Sequence, residues 1–382
     1  MAAFVEKLKK FKWKNYVNYV AITLALLVFS SLSLTGSLKS STLYLLEKMG
    51  IAILLSVSLG LVVGFLGELS LGHAGFMCVG AYLGGKTAAL LAPSLGNGIV
   101  NLLISVVVGA LAAAVLGFVV GLPALRLKGD YLAIVTLAFC EIVKTIFQNS
   151  SNESFGGAMG LKTPRFDKDY LFIVIFLFIL LCLAVMQNFI RSKHGRAITA
   201  IRDNEIAARA TGINVTKYKL SAFIISAAFA GVAGVMYSFA NSNVAPNAFD
   251  YNYSIEILVM VVLGGMGNVT GGMISAAVIT YLNIKLTTLL TGDSAVLKNL
   301  IYALILVVIV IYNNAPALKH VREKYNIKAL VAKLLRKSKD VSDVSDDEGK
   351  WDRIPTKIRM DELLSVDIVI KESVQDPDKE AK

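Results

Sequence analysis

The run Ile99–Leu122, IVNLLISVVVGALAAAVLGFVVGL, carries no charge over 24 consecutive residues. As a helix it covers about 36 Å at ~1.5 Å per residue, enough to cross the ~30 Å hydrocarbon core of a bilayer. Working outward, further apolar runs of spanning length occur near residues 16–34, 49–66, 73–92, 131–148, 170–190, 219–240, 271–290 and 296–312. The run at 254–264 is shorter, covers only about 17 Å and reads as a broken or re-entrant element. Of the 382 residues 55% are hydrophobic and 17% charged, against about 25% charged in an ordinary soluble domain. Mean hydropathy is +0.65. The expected fold class is an all-α polytopic membrane protein with 8–10 transmembrane helices.

Charge gives the orientation. The net charge of +11 splits into +17 for residues 1–339 (31 Lys/Arg, 14 Asp/Glu) and −6 for residues 340–382 (7 and 13). The basic excess does not point to nucleic acid, because it clusters in loops: Lys7 to Lys14, Arg191 to Lys219, and Lys319 to Lys339. The positive-inside rule places all three clusters, and so both termini, in the cytoplasm. Lys162, Arg165 and Lys168 fall outside in this topology, accompanied by Glu153, Asp167 and Asp169. The expected organisation is a basic N-terminus (1–15), a membrane domain (16–317), a basic juxtamembrane segment (318–339) and an acidic, disordered tail (340–382). The N-terminus shows no cleavable signal pattern. Cys78, Cys140 and Cys182 lie in apolar runs and read as small hydrophobes, with no metal or cofactor implied.

Two apolar stretches are interrupted by clustered glycines, Gly64–Gly85 (GFLGELSLGHAGFMCVGAYLGG) and Leu263–Leu282 (LGGMGNVTGGMISAAVITYL). Broken segments near 64–85 and 254–272 suit either tight helix packing or a translocation path, where interrupted helices recur in transporters. Gly80–Thr87 (GAYLGGKT) matches the phosphate-binding pattern G-x-x-x-x-G-K-[ST]. It lacks the strand, the accessible loop and the acidic partner that such a site needs, so the match is read as coincidence.

Gly195–Lys219 (GRAITAIRDNEIAARATGINVTKYK) is the polar centre of the chain. It predicts a short exposed helix with a small-residue face, closed by Gly212 and flanked by Arg202, Asp203, Glu205 and Arg209. Such a face suits docking, and a solvated loop helix carrying topology charges is the alternative. Ionisable residues within the apolar runs are costly and mark candidate paths. They are Glu141, with Lys144 at i+3, Glu68 and His73 beside the first break, and Glu256 before the second. Gly72, Gly264, Gly265 and Gly267 complete the candidate path. For Glu141 a structural Glu–Lys pair is the alternative.

Glu205–Ile213 (EIAARATGI) resembles the cytoplasmic Glu-Ala-Ala…Gly loop of ATP-binding-cassette importer permeases, with Ile206 where that pattern has Ala. Gly67–Phe76, Gly129–Leu137, Gly156–Leu161 and Val261–Asn268 are similar, in order and spacing, to stretches of the high-affinity branched-chain amino acid permeases, above all the M-type subunit of the Liv system. The resemblance covers about residues 40–325 and leaves the acidic tail unaccounted for. It implies a multi-pass subunit of a bacterial inner or plasma membrane that imports branched-chain amino acids and has no enzymatic activity itself. Its implied partners are a second permease chain, two ATPase subunits and an extracytoplasmic solute-binding protein. Arg202, Asp203, Glu205, Ala207, Ala208, Arg209 and Gly212 would then form the ATPase-docking coupling helix. Urea, short amides or nucleosides are alternative cargoes of the same group, and a stand-alone secondary transporter or channel is the rival of another class.

Overall fold

The computed structural model describes residues 17–34, 39–127 and 130–289, with Leu304 and Val307 as isolated helical positions. The basic N-terminus 1–15, the juxtamembrane segment 318–339, the tail 340–382 and nearly all of the span expected at 296–312 lie outside the described residues.

Helix α1 (Val17–Leu34) is followed by α2 (Ser40–Gly60), which continues through a π-turn at Leu61–Leu66. Next come α3 (His73–Leu95), α4 (Ile99–Ala124), α5 (Asp130–Gln148) and α6 (Lys168–Arg191). Two short helices, α7 (Lys193–Asp203) and α8 (Glu205–Ala210), precede α9 (Val215–Ala240), α10 (Tyr251–Gly264) and α11 (Val269–Leu289). Among the described residues seven helices are long and apolar enough to cross a membrane: α2 to α6, α9 and α11. Helix α1 is shorter and anchors to α6 through Tyr19, whose hydroxyl donates to Leu183 O at 3.2 Å.

Packing follows the placement of small residues. On α4, Gly109, Ala113, Gly117 and Gly121 recur every four residues and so share a face. A Cβ on Gly117 would stand 2.7 Å from the Ala227 Cβ on α9, and one on Gly121 2.9 Å from Leu220. The offset stripe Val107, Leu111, Val115 and Val119 is exposed, as a lipid-facing surface should be. Helix α3 reaches α9 the same way, since a Cβ on Gly80 would lie 2.2 Å from Gly231 O. Residues 80–87 are therefore the interior of a helix, and the glycines of the phosphate-loop pattern serve helix contact. The break expected across 64–85 is confined to 67–72, because the later glycines admit neighbouring helices instead of bending the chain.

Where the sequence suggests a span starting near 49, α2 begins at Ser40 and carries a buried Glu47 and a half-buried Lys48. At the far end of the bundle, β1 (Leu161–Lys162) pairs antiparallel with β2 (Asn243–Val244). Tyr82 ties that pair to α3, donating to Val244 O at 2.8 Å while stacking on Phe147. Helix α10 has 14 residues, about 21 Å, and forms a hairpin with α11.

Candidate coupling site and transmembrane cavity

The polar segment expected as one helix is two. Ser192 caps α7, accepting from His194 N and Gly195 N, and α7 ends at Asp203. Asn204 leaves the helical region (φ −158°, ψ 104°) and caps α8, its Oδ1 accepting from Ala207 N at 3.0 Å. A short amide side chain competes with the helix ladder and is at home at an N-cap, so the split falls there. Arg202 and Asp203 consequently belong to α7, not to the helix carrying Glu205. Gly212 follows α8 at φ +83°, a left-handed conformation that glycine adopts at least cost. The small-residue face also turns inward in part: Ala197, Ile201 and Ala208 are buried, with Ile201 and Ala208 packed on Val215. What α8 exposes is Ile206, 82% accessible, with Ala207, Arg209 and Ala210.

The charges of this segment reach the first glycine break. Lys219, at the start of α9 and only 8% exposed, donates to Glu68 and to Glu205 Oε2 at 3.0 Å. Arg209 Nη2 pairs with Glu205 Oε1 at 2.6 Å. The Lys219 hydrogen bond, aided by the charges of Lys219 and Arg209, holds the Glu205 carboxyl below its usual range despite some desolvation. Arg202 donates through Nη1 to Gly64 O at 3.1 Å and pairs with Asp203 at 2.9 Å. Gly67 (φ +80°) lies so close that a Cβ would stand 2.6 Å from Arg202 Cγ, and a Cβ on Gly64 would lie 2.5 Å from Gly267 N. One cluster of side chains thus touches both breaks, around a cleft of about 670 Å³ lined by Glu68, Arg202, Glu205 and Lys219.

The remaining residues singled out in the sequence occupy three places. Gly72 and His73 start α3: a Cβ on Gly72 would meet Thr136 O at 2.6 Å, and His73 Nε2 contacts Ser58 Oγ at 2.7 Å in a fully packed setting. Glu141 joins α5 to α10. Its Oε2 accepts from Lys144 at 3.0 Å and its Oε1 from Tyr251 N at 3.1 Å, beside the Asp250 cap that accepts from Tyr253 N. Gly264, Gly265 and Gly267 form the α10–α11 turn, with Gly265 and Gly267 at positive φ. Glu256 accepts from Asn283 Nδ2 at 2.9 Å and lines a second cavity of about 510 Å³, at the ends of α2 and α9 remote from α8. Lys48 lines the same cavity. It escapes notice in the sequence because Glu47-Lys48 reads as the flank of a span; the polar start of α2 at Ser40–Thr42 is the signal that the helix begins a full two turns earlier. Among the described residues no group of His, Cys, Asp or Glu could hold a metal.

The model of the family described as branched-chain amino acid transport system / permease component matches residues 41–310. The chain belongs to this family. It is 35% identical over 250 residues to the high-affinity branched-chain amino acid transport system permease protein LivM of Salmonella typhimurium, covering 57% of each chain. The match to the Escherichia coli protein of the same name has the same identity and coverage. The probable branched-chain amino acid transport permease protein LivM of Methanocaldococcus jannaschii is 29% identical over 271 residues, 62% of this chain and 78% of that one. The ribose import permease protein RbsC of Escherichia coli is 31% identical over 126 residues, 31% of this chain and 38% of that protein. This permease-family chain spans 57% of the length of the Salmonella and Escherichia coli branched-chain relatives. No solved structure matches it. Family and helices together make it a multi-pass membrane permease component.

Proposed function

We propose that the chain is the membrane-spanning subunit of an ATP-binding-cassette importer that passes branched-chain amino acids across a bacterial inner or plasma membrane. Its partners in this reading are a second permease chain, two ATPase subunits that carry all nucleotide hydrolysis, and an extracytoplasmic binding protein. The observation that carries the reading is α8, which offers Ile206 and Arg209 to solvent while Glu205 reaches through Lys219 to Glu68 at the first glycine break. An exposed aliphatic side chain on a charged surface helix is a natural anchor for a partner groove. Movement of a docked ATPase would pull on Glu205 and Arg202, and through them on residues 64–72 and 264–267, biasing a two-state equilibrium between conformations open to either side.

The test is leucine uptake by the reconstituted importer carrying Ile206→Glu. Ile206 makes little use of the fold, so the variant should assemble and melt as wild type, whereas nucleotide-driven uptake should fall about tenfold or more, the scale of a lost interface anchor. Unchanged uptake would reject α8 as the docking element. The ribose-permease relatives motivate a parallel measurement of leucine, ribose and urea as competing cargoes, with leucine expected to be taken up preferentially.

A further inference from the structure

Two membrane helices expose a face, and only one of the faces suits lipid. On α4 the exposed stripe of Val107, Leu111, Val115 and Val119 is aliphatic throughout. On α5 the exposed positions Ala138 and Thr145 lie at i−3 and i+4 from Glu141 and so share its side of the helix. The Glu141 side chain is itself 34% exposed and that of its ion-pair partner Lys144 18%. Glu141 stands seven residues before the end of α5 at Gln148, about 10 Å along the axis. Its side chain leans back from there toward the level of Ala138, as helical side chains do.

The chain beside Glu141 is irregular. From the end of α9 at Ala240 to the start of α10 at Tyr251 it passes only through β2 and a short 3₁₀ turn, Pro246–Phe249. The 14 residues of α10 cover about 21 Å of a ~30 Å core, which leaves roughly the last 10 Å to this stretch. Both depths agree where the two elements touch, at the hydrogen bond from Tyr251 N to Glu141 Oε1 (3.1 Å). Asn243, Asn247 and Asn252 are exposed in succession from the β1–β2 end inward, and Asn252 Nδ2 donates to Asp250 Oδ2 at 2.8 Å. Glu141, Lys144 and Asp250 all have partners, so what lipid would not tolerate here is the exposure of charge and of non-helical backbone. Such backbone is found at membrane depth where protein buries it or water covers it. A polar track that runs to the end of the bundle favours water.

We propose that the seam between α5 and α10 lines a water-filled passage for the cargo, which opens at the β1–β2 end of the bundle and reaches mid-membrane beside Ala138. That end is the extracytoplasmic one in the positive-inside reading. As a route for cargo the passage rests on the proposed import function, in which the second permease chain supplies the facing wall. The aliphatic stripe of α4 faces lipid.

The experiment measures thiol reactivity in the reconstituted importer with a membrane-impermeant trimethylammonium-ethyl thiosulfonate. Ala138→Cys on α5 and Asn252→Cys on α10 test the seam, and Leu111→Cys, like Ala138 near the middle of its helix, tests the stripe of α4. The unsubstituted chain is the blank, since Cys78, Cys140 and Cys182 are buried. A thiol in hydrocarbon stays protonated and inert, so both seam variants should react roughly tenfold or more faster than Leu111→Cys. Either seam variant as slow as Leu111→Cys would overturn the passage, and so would a Leu111→Cys as fast as both. Complete modification of Ala138→Cys should also cut leucine uptake to less than half of its rate before modification. Uptake that persists would overturn the seam as a route for cargo. Wild-type importer that takes up no branched-chain amino acid would instead remove the proposed function, and the reactivity pattern would still decide whether water lines the seam.

Discussion

The two glycine breaks meet at Arg202 but are held in different ways. The first, residues 67–72, is a polar loop pinned by charge: Glu68 is bound by Lys219, and Arg202 donates to the carbonyl of Gly64 just before it. The second, residues 265–268, contains no charged residue and is held by backbone against backbone. A Cβ on Gly264 would stand 2.3 Å from Gly272 N, and Gly265 and Gly267 turn the chain at positive φ. Ion pairs can be exchanged or strained when a neighbouring helix moves, whereas closely packed backbone has few alternative arrangements. The first break therefore suits a movable joint and the second a rigid hairpin that follows it.

Removing the charge of Lys219 should have the largest effect on that contrast. Lys219→Met leaves Glu68 and Glu205 without their shared cation, and the loss in stability should approach the roughly 3–5 kcal/mol of a broken buried pair, lowered because Glu205 is 29% exposed. Thermal melting in detergent measures it, and adding Glu68→Gln should recover part of the loss in a double-mutant cycle. Full stability in Lys219→Met would show that charge does not hold the first break.

Gly264→Ala should cost about 1–3 kcal/mol, because the neighbour it meets is backbone and cannot rotate away. A neutral result would mean that the second break is no more rigid than the first. Acid tests the charged break more gently. Glu205 has its carboxyl held down in the fold, so its contribution is complete above the unfolded value near 4.3 and is lost as pH falls through the lower folded value. Melting temperature should be flat from pH 8 to about 5 in this respect and drop below it, with a smaller acid-side drop in Glu205→Gln, by at most about 1 kcal/mol for so exposed a group. The smallest effect is expected at Gly60, between α2 and its π-turn. It has φ −56° and open space within 4 Å of where a Cβ would stand, so Gly60→Ala should change stability by about 0.5 kcal/mol or less.

Much of the fold is legible from residues alone, since helices in lipid must satisfy their own backbone and long uncharged runs have no other use. Ile99–Ala124 and Val215–Ala240 lie within a few residues of the spans the apolar runs mark. Boundaries fail where a polar residue sits inside a helix, as Glu47 and Lys48 do in α2, because hydropathy reads burial and lipid exposure alike. Glycine has a similar ambiguity. Gly64 and Gly267 stand at the two breaks, while Gly80 and Gly84 sit in straight helix, and only their neighbours on α9 and α4 explain the difference.

A polytopic helical protein, its family resemblance, and the charged residues that lie among apolar ones all follow from local composition, on which membrane insertion and helix formation depend. Tertiary structure alone decided that Lys219 joins Glu68 to Glu205, 137 positions apart in the chain, and that Lys48 and Glu256 share a cavity. Such pairings depend on which helix faces which, and small-residue packing across α3, α4 and α9 sets that only once the chain is folded.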